Sequence, residues 1–348
     1  MCNGVFVTTV GIPSGVVPPA THVLGRRAGG GAPDTLPAVA ALLDKRLVFV
    51  TGKGGVGKST VAVALGLIAA RRGLRTIVAE VAHQDRVARV FGRDDSHFRE
   101  VQLADSLFTI SIDPRHAIEE YLRLQVPVRA FADLLAGSRM FQYFAAATPG
   151  LSELVTIGKI WELSQLERRT RNAARYDLVI VDSPATGQGV ATMRAPKTFA
   201  DIARVGPIAN QGRTIHAMIT DPERTGVVAV ALPEEMPVNE TLSLRDALRS
   251  ELGLGVDRVV VNGVYEKRFA AGDAAALEQA VDTAGTPTTR AALRAALSEH
   301  LRARGQREQV SRLEEGTGSA PALLPFLFEP ELDLGAYQRL SERLEAAL

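Results

Sequence analysis

Nine residues, Gly52-Lys53-Gly54-Gly55-Val56-Gly57-Lys58-Ser59-Thr60, fit the phosphate-binding pattern G-x-x-x-x-G-K-[ST]. Glycines let a backbone turn tightly and aim its N–H groups at phosphate oxygens. A helix starting directly after the loop adds the positive end of its dipole. In this reading Gly54, Gly55, Val56, Gly57, Lys58, Ser59 and Thr60 cradle the phosphates of a nucleotide. Lys58 reaches the outer phosphates, and the Ser59 hydroxyl ligates Mg²⁺. Lys53 is a second lysine that an ordinary phosphate loop does not need. A cation at the loop entrance suits a finger that points away from its own nucleotide and completes a second subunit's site, offsetting charge on the transferring phosphoryl group. The plain alternative is a solvated surface lysine.

These side chains need a strand before the loop and a helix after it. Arg46-Leu47-Val48-Phe49-Val50 reads as a short buried strand, and Val61 to Ala70 as a buried helix. From Lys45 onward apolar runs alternate with longer helical stretches. The candidate strands are Leu47–Val50, Thr76–Ala79, Leu107–Ile112, Leu178–Val181, Val227–Ala231, Val259–Val261 and Leu324–Leu327. Their Val, Ile and Leu content is that of strands covered on both faces. The pattern predicts an α/β fold: a doubly wound, mostly parallel sheet of the P-loop nucleotide-hydrolase type with a helical insertion. Residues 45–348 read as one such domain, with the insert at about 114–175 and a second helical segment at about 269–318, in which Asp273 to Ala280 and Thr289 to Arg304 read as helices. Residues 1–44, rich in Gly, Ala, Pro and Val, read as a disordered or loosely ordered arm, with a short helix at Leu36 to Leu43.

A second apolar run, Asp177-Leu178-Val179-Ile180-Val181-Asp182, ends in a carboxylate. Asp182 stands where a strand-end aspartate holds Mg²⁺ through water. It leads into Ser183-Pro184-Ala185-Thr186-Gly187-Gln188-Gly189, a turn-prone polar run. Ser183, Pro184, Thr186 and Gly187 suit a switch that orders on a γ-phosphate and relaxes after hydrolysis. The ordinary alternative is a strand-to-helix turn.

Lys53 to Thr60 resembles the deviant Walker A loop of dimeric P-loop ATPases, a class that includes the Min and Par positioning ATPases, the nitrogenase iron protein, and the arsenical-pump and tail-anchored-protein-targeting ATPases. Further stretches resemble the arsenical-pump (ArsA-like)/tail-anchored-targeting branch in particular. Asp182-Ser183-Pro184-Ala185-Thr186-Gly187-Gln188 is similar to its Asp-Thr-Ala-Pro-Thr-Gly-His switch. Ile112-Asp113-Pro114 with Glu120-Tyr121, Pro149-Gly150-Leu151 with Glu153, and Pro233-Glu234-Glu235 with Glu240-Thr241 resemble three of its other segments. The resemblance implies Mg-ATP binding and hydrolysis by a dimer. One ATPase unit per chain implies a homodimer or a heterodimer with a paralogue.

One departure stands out. The family strand after the P-loop helix ends in Asp-Pro-Ala-His, whose Asp orients the attacking water; here the residues are Glu80-Val81-Ala82-His83. Glu80 keeps the carboxylate but moves it by about 1 Å or more, and misplacement on that scale costs on the order of 10²-fold in rate. Asp85 is close enough in sequence to substitute. Hydrolysis is therefore expected to be slow, or supplied by a more active paralogue. For the base, Asn262 ends the strand Val259–Val261, and its amide both donates to and accepts from adenine; family members place an Asn there. Pro325 and Phe326 are candidates to pack on the ring.

Composition narrows the rest. The chain has 348 residues and a formal net charge of +1, so no global basic field holds nucleic acid. Its one cysteine, Cys2, leaves no intrachain disulfide, no iron–sulfur cluster and no thiol arsenite site, and fits a cytoplasmic protein. No apolar run is long enough to span a bilayer, and the start does not read as a signal peptide. The stretch 116–165 carries Ile118, Tyr121, Leu122, Leu124, Val126, Phe131, Leu134, Leu135, Met140, Phe141, Tyr143 and Phe144. In the tail-anchored-targeting relatives, helices in this position build a groove for a hydrophobic protein client; core packing or a dimer interface also explains such residues. Two other functions stay open: a Par- or Min-like positioning ATPase, and a pseudo-ATPase subunit of a heterodimer.

Overall fold

The apolar runs lie side by side in one eight-stranded sheet. The computed structural model describes residues 38–81, 85–94, 96–125, 148, 150–170 and 173–348. The strands are β1 (Leu47–Gly52), β2 (Thr76–Val81), β3 (Val101–Ala104), β4 (Leu107–Ile112), β5 (Leu178–Ala185), β6 (Thr225–Ala231), β7 (Arg258–Val264) and β8 (Ala322–Pro325). Their spatial order is β3-β4-β2-β5-β1-β6-β7-β8. Every neighbouring pair is parallel except β3 with β4. The described helices are α1 (Ala38–Leu43), α2 (Lys58–Arg71), α3 (Arg86–Val90), α4 (Pro114–Gln125), α5 (Leu151–Leu163), α6 (Thr186–Ala203), α7 (Pro207–Ile219), α8 (Glu235–Ala247), α9 (Ala271–Thr283), α10 (Pro287–Thr317) and α11 (Leu334–Ala347).

Both faces of the sheet are covered, which is why its strands carry no polar face. Leu47 and Phe49 of β1 point into one core with Ile157 and Ile160 of α5 and Met193 of α6. Val48 and Val50 point into the other, with α2 and with Tyr337, Leu340 and Leu344 of α11. Helix α2 is buried at every position from Val61 to Ala69, as befits a helix that is apolar all round. The carboxyl ends of β1, β2 and β5 meet at the centre of the sheet, where an open α/β sheet binds ligands.

The structure departs from the sequence reading in four places. A short strand, β3, was not expected: it is a four-residue edge strand, half exposed, paired antiparallel to β4 through the Asp105–Ser106 turn. Strand β8 lies two residues earlier than expected, and Phe326 beyond it is exposed. Helix α10 continues through Gly305 to Thr317, where Ala303 and Leu313 are buried against the body of the protein; tertiary packing overrides the helix-breaking tendency of glycine. Finally, Ser183 to Ala185 continue β5, with Ala185 opposite Gly52, and α6 starts at Thr186. The switch residues are therefore a strand end and a first helical turn, with no separate loop between them.

Of the residues assigned to the arm, 1–37 lie outside the described residues, while α1 buries Leu42 and Leu43 in the core. The described part of the insert holds the helices α4 and α5; the client-groove positions from Val126 to Phe144 lie outside the described residues.

Candidate active site

Strand register alone brings the chemistry together. Asp182 on β5 pairs with Val50 on β1 and with Glu80 on β2, so both carboxylates sit beside the start of the phosphate loop. The loop needs its glycines at two points in particular. Gly52 has φ +152°, and a Cβ there would lie 2.2 Å from the Val230 carbonyl oxygen. Gly57 has φ +93°, and a Cβ there would lie 2.2 Å from the Asn262 side-chain nitrogen. Only glycine permits both the dihedral and the approach.

At the head of α2, Ser59 Oγ donates to Asp182 Oδ2 at 2.5 Å. Lys58 Nζ folds back onto the Lys53 carbonyl oxygen at 2.9 Å. Burial lowers the Lys58 pKa, with Asp182 opposing and Arg86 adding to the effect. Burial also raises the Asp182 pKa, against the Ser59 hydrogen bond and the charges of Lys58 and Arg86. Each charge is held in a poorly solvated place that a charged ligand would compensate. The donor set fits Mg²⁺: a hydroxyl and a carboxylate, both hard oxygen ligands, already in contact. Among the described residues there is no cluster of three or more His, Cys, Asp or Glu that forms a complete metal cage. Magnesium needs none, because it takes most of its shell from water and phosphate. Two buried hydroxyls by the site, Thr51 Oγ1 and Ser183 Oγ, have no hydrogen-bond partner among the described residues.

Glu80 is 1% exposed. Its Oε1 accepts from Arg86 N at 2.9 Å and its Oε2 from Val87 N at 3.2 Å. The extra methylene thus lets the carboxylate cap the start of α3. Burial pushes the Glu80 pKa up to about 7; the Val87 hydrogen bond opposes this and the neighbouring Asp182 charge reinforces it. Asp85 is not a free substitute. Its Oδ1 accepts from Ser96 N at 3.0 Å and Ser96 Oγ at 2.8 Å, and Ser96 Oγ in turn accepts from Ser111 N at 2.8 Å.

A family model for anion-transporting ATPases matches residues 45–207 and 200–280. The chain belongs to this family. ATPase BagA of Mycobacterium tuberculosis is 30% identical over 223 residues, covering 62% of this chain and 64% of that protein. The arsenical pump-driving ATPase of Acidiphilium multivorum is 27% identical over 246 residues, 66% of this chain and 41% of its own length. ATPase GET3 of Kluyveromyces lactis is 26% identical over 266 residues, 66% of this chain and 74% of its own. The chain thus spans less than two thirds of the length of the first two.

The other expected site residues of this family member fall into two groups. Asn262 lies against the phosphate loop: its Nδ2 donates to the Val56 carbonyl oxygen at 3.0 Å. Pro325 on β8 pairs with Val264, two residues beyond Asn262 on β7. Lys53 stands apart, its Nζ 2.8 Å from Glu240 Oε1 on α8. The side chain of Thr60 interacts with the Tyr337 hydroxyl of α11, and its Oγ1 lies 3.8 Å from where a Gly57 Cβ would stand. Of the switch, Ser183 is buried, Pro184 and Thr186 are half-buried, and Ala185 and Gly187 are exposed.

Sequence reasoning missed Arg86, whose charge acts on both Lys58 and Asp182, and the pairing of Lys53 with Glu240. Glu240 is visible in the sequence as half of a Glu-Thr pair. Nothing local says which lysine it meets.

Proposed function

We propose that this chain is an Mg-ATP-binding and -hydrolysing dimeric switch, coupling nucleotide state to an apolar protein client or a membrane partner. One observation carries the reading: the Ser59 hydroxyl and the Asp182 carboxylate in contact at 2.5 Å at the head of α2. Ser59 and Asp182 would hold the magnesium, which supplies charge neutralisation to the outer phosphates when bound. The amides from Gly54 to Thr60 cradle the phosphates, Lys58 leaves the Lys53 carbonyl for them, and Glu80 orients the attacking water. Lys53 acts on a second subunit's nucleotide, and Asn262 with Pro325 lies on the base. Ser183 to Gly187, beside the γ-phosphate position, transmits its loss. The second subunit is another copy of this chain or a paralogue, the near-neutral charge argues against nucleic acid, and a cytoplasmic location fits the single cysteine. The relatives' names, an arsenical pump-driving ATPase and ATPases BagA and GET3, support ATP hydrolysis.

The test is phosphate release with and without Mg²⁺. Wild type is expected to show Mg²⁺-dependent turnover that Lys58→Ala abolishes. Calorimetry that finds no binding of Mg-ATP would end the reading. A slow or pseudo-ATPase subunit is the second reading, favoured by the commitment of both Glu80 oxygens to α3. A catalytically silent chain that binds ATP and dimerises with a paralogue would select it.

A further inference from the structure

Helices α4, α5, α6 and α7 line a half-open cavity of about 260 Å³ on the side of the sheet away from α2. Leu151, Leu154, Val155, Trp161, Phe199 and Ile215 give it apolar walls. Lys159, Glu120 and Glu162 also reach it, paired within an ion cluster that Arg168 and Glu100, 2.7 Å apart, complete. Lys159 Nζ lies 2.8 Å from Glu120 and 3.2 Å from Glu162, and Arg168 holds Glu162 at 2.8 Å. These ions need no ligand.

The exposed Arg169 differs. Its guanidinium lies over the Trp161 ring at 4.9 Å, at the cavity wall. Among the described residues it makes one hydrogen bond, a weak one at 3.4 Å to Gln211 Oε1. Tyr121 lines the same cavity. Burial raises the pKa of its hydroxyl and the Arg169 charge pulls it partly back, so the two groups are in electrostatic reach. A guanidinium, a phenol and a carboxamide therefore converge at the edge of an apolar chamber. Guanidinium has the fork geometry for a carboxylate, and a phenol or amide N–H adds a further donor.

We propose that this cavity binds an unbranched aliphatic carboxylate, with the chain among Leu154, Val155, Phe199 and Ile215 and the carboxylate on Arg169, Tyr121 and Gln211. The proposal is separate from the protein client proposed above. It does not depend on hydrolysis, and its test runs without nucleotide.

Trp161 is the only tryptophan of the chain and forms part of the cavity wall, so its fluorescence reports directly on occupancy. Gly158 gives a way to close the chamber. It lines the cavity from within α5, and a Cβ there meets nothing within 4 Å, so Gly158→Leu fills space without a backbone clash. The full chain is titrated with dodecanoate, dodecanol and dodecylamine below their micellar concentrations. Expected is a saturable Trp161 response to dodecanoate, weakened about tenfold or more in Arg169→Gln, the worth of one charge-assisted hydrogen bond. Gly158→Leu, checked for a wild-type melting curve, is expected to lose the response. Equal responses to dodecanol and dodecanoate would overturn the carboxylate assignment. An unchanged titration in Gly158→Leu, or no saturable response in wild type, would overturn the site. Mg-ATP binding measured on the same samples separates failure of this site from failure of the nucleotide reading.

Discussion

Glu80 caps a helix, and in the function proposed it also orients the attacking water, two roles that pull against each other. As a cap it satisfies two orphan backbone donors of α3, and as a buried acid it titrates near 7 instead of its ordinary 4.5. The sign of the linkage follows. Between pH 4.5 and about 7 the folded chain holds a proton on Glu80 that the unfolded chain has released, so stability falls as pH rises through that window. Denaturant melts of the nucleotide-free chain at pH 5 and pH 8 are expected to show this loss, and Glu80→Gln to show less of it. Activity runs the other way, because only the carboxylate accepts a proton from water. Turnover is expected to climb between pH 6 and 8. Glu80→Gln is expected to cut it by about 10²-fold or more while Mg-ATP affinity stays within a few-fold. A mutant as active as wild type would remove Glu80 from the chemistry.

At the scale of elements, α11 shows which contacts matter. Its inner face places Leu340 and Leu344 in the core shared with α2, while Glu345 pairs at 2.9 Å with Arg71 and Arg72 on the outside. Leu340→Ala is expected to cost about 2–5 kcal/mol in urea melts, Glu345→Ala about 1 kcal/mol or less, because exposed ion pairs are screened. Gly52→Ala is expected to cost more than either, since its Cβ would meet the Val230 carbonyl oxygen at 2.2 Å and its φ is unfavourable. The same contrast explains what the sequence discloses. Strands buried on both faces are unbroken apolar runs, and the phosphate loop is a fixed spacing, so the parallel sheet and the residues from Gly52 to Thr60 are legible. β3 is not, because a short edge strand with one buried residue has no periodicity to read. Nor is the reach of α10 past Gly305, which packing decides. Within the site the residue types are legible and their partners are not. Glu80 spends its oxygens on α3, Asp85 on Ser96, and Lys53 on Glu240, all through folding that no local pattern encodes.

In the function proposed, Lys53 sets how many chains make one working site. In the single chain it is bound to Glu240 at 2.8 Å, with both side chains about a third exposed. An exposed pair of this kind is worth about 1 kcal/mol or less, so the lysine is easily released to a stronger anion such as a neighbouring chain's triphosphate. If it acts across a dimer, its loss and the loss of Lys58 are complementary. A Lys53→Ala chain keeps an intact phosphate cradle but gives its neighbour nothing. A Lys58→Ala chain has a damaged cradle but donates a normal Lys53. Each alone is expected to be inactive. Mixed in equal amounts, half of the dimers pair the two mutants, and each such dimer holds one complete site. Turnover is then expected to recover to about a quarter of wild type for random pairing in a two-fold dimer. A lysine serving its own chain predicts no recovery at any ratio, because neither mutant would hold both lysines around one nucleotide. Titrating one mutant into a fixed amount of the other and following phosphate release tells the two arrangements apart. Size-exclusion chromatography with a non-hydrolysable ATP analogue is expected to show the matching shift from monomer to dimer.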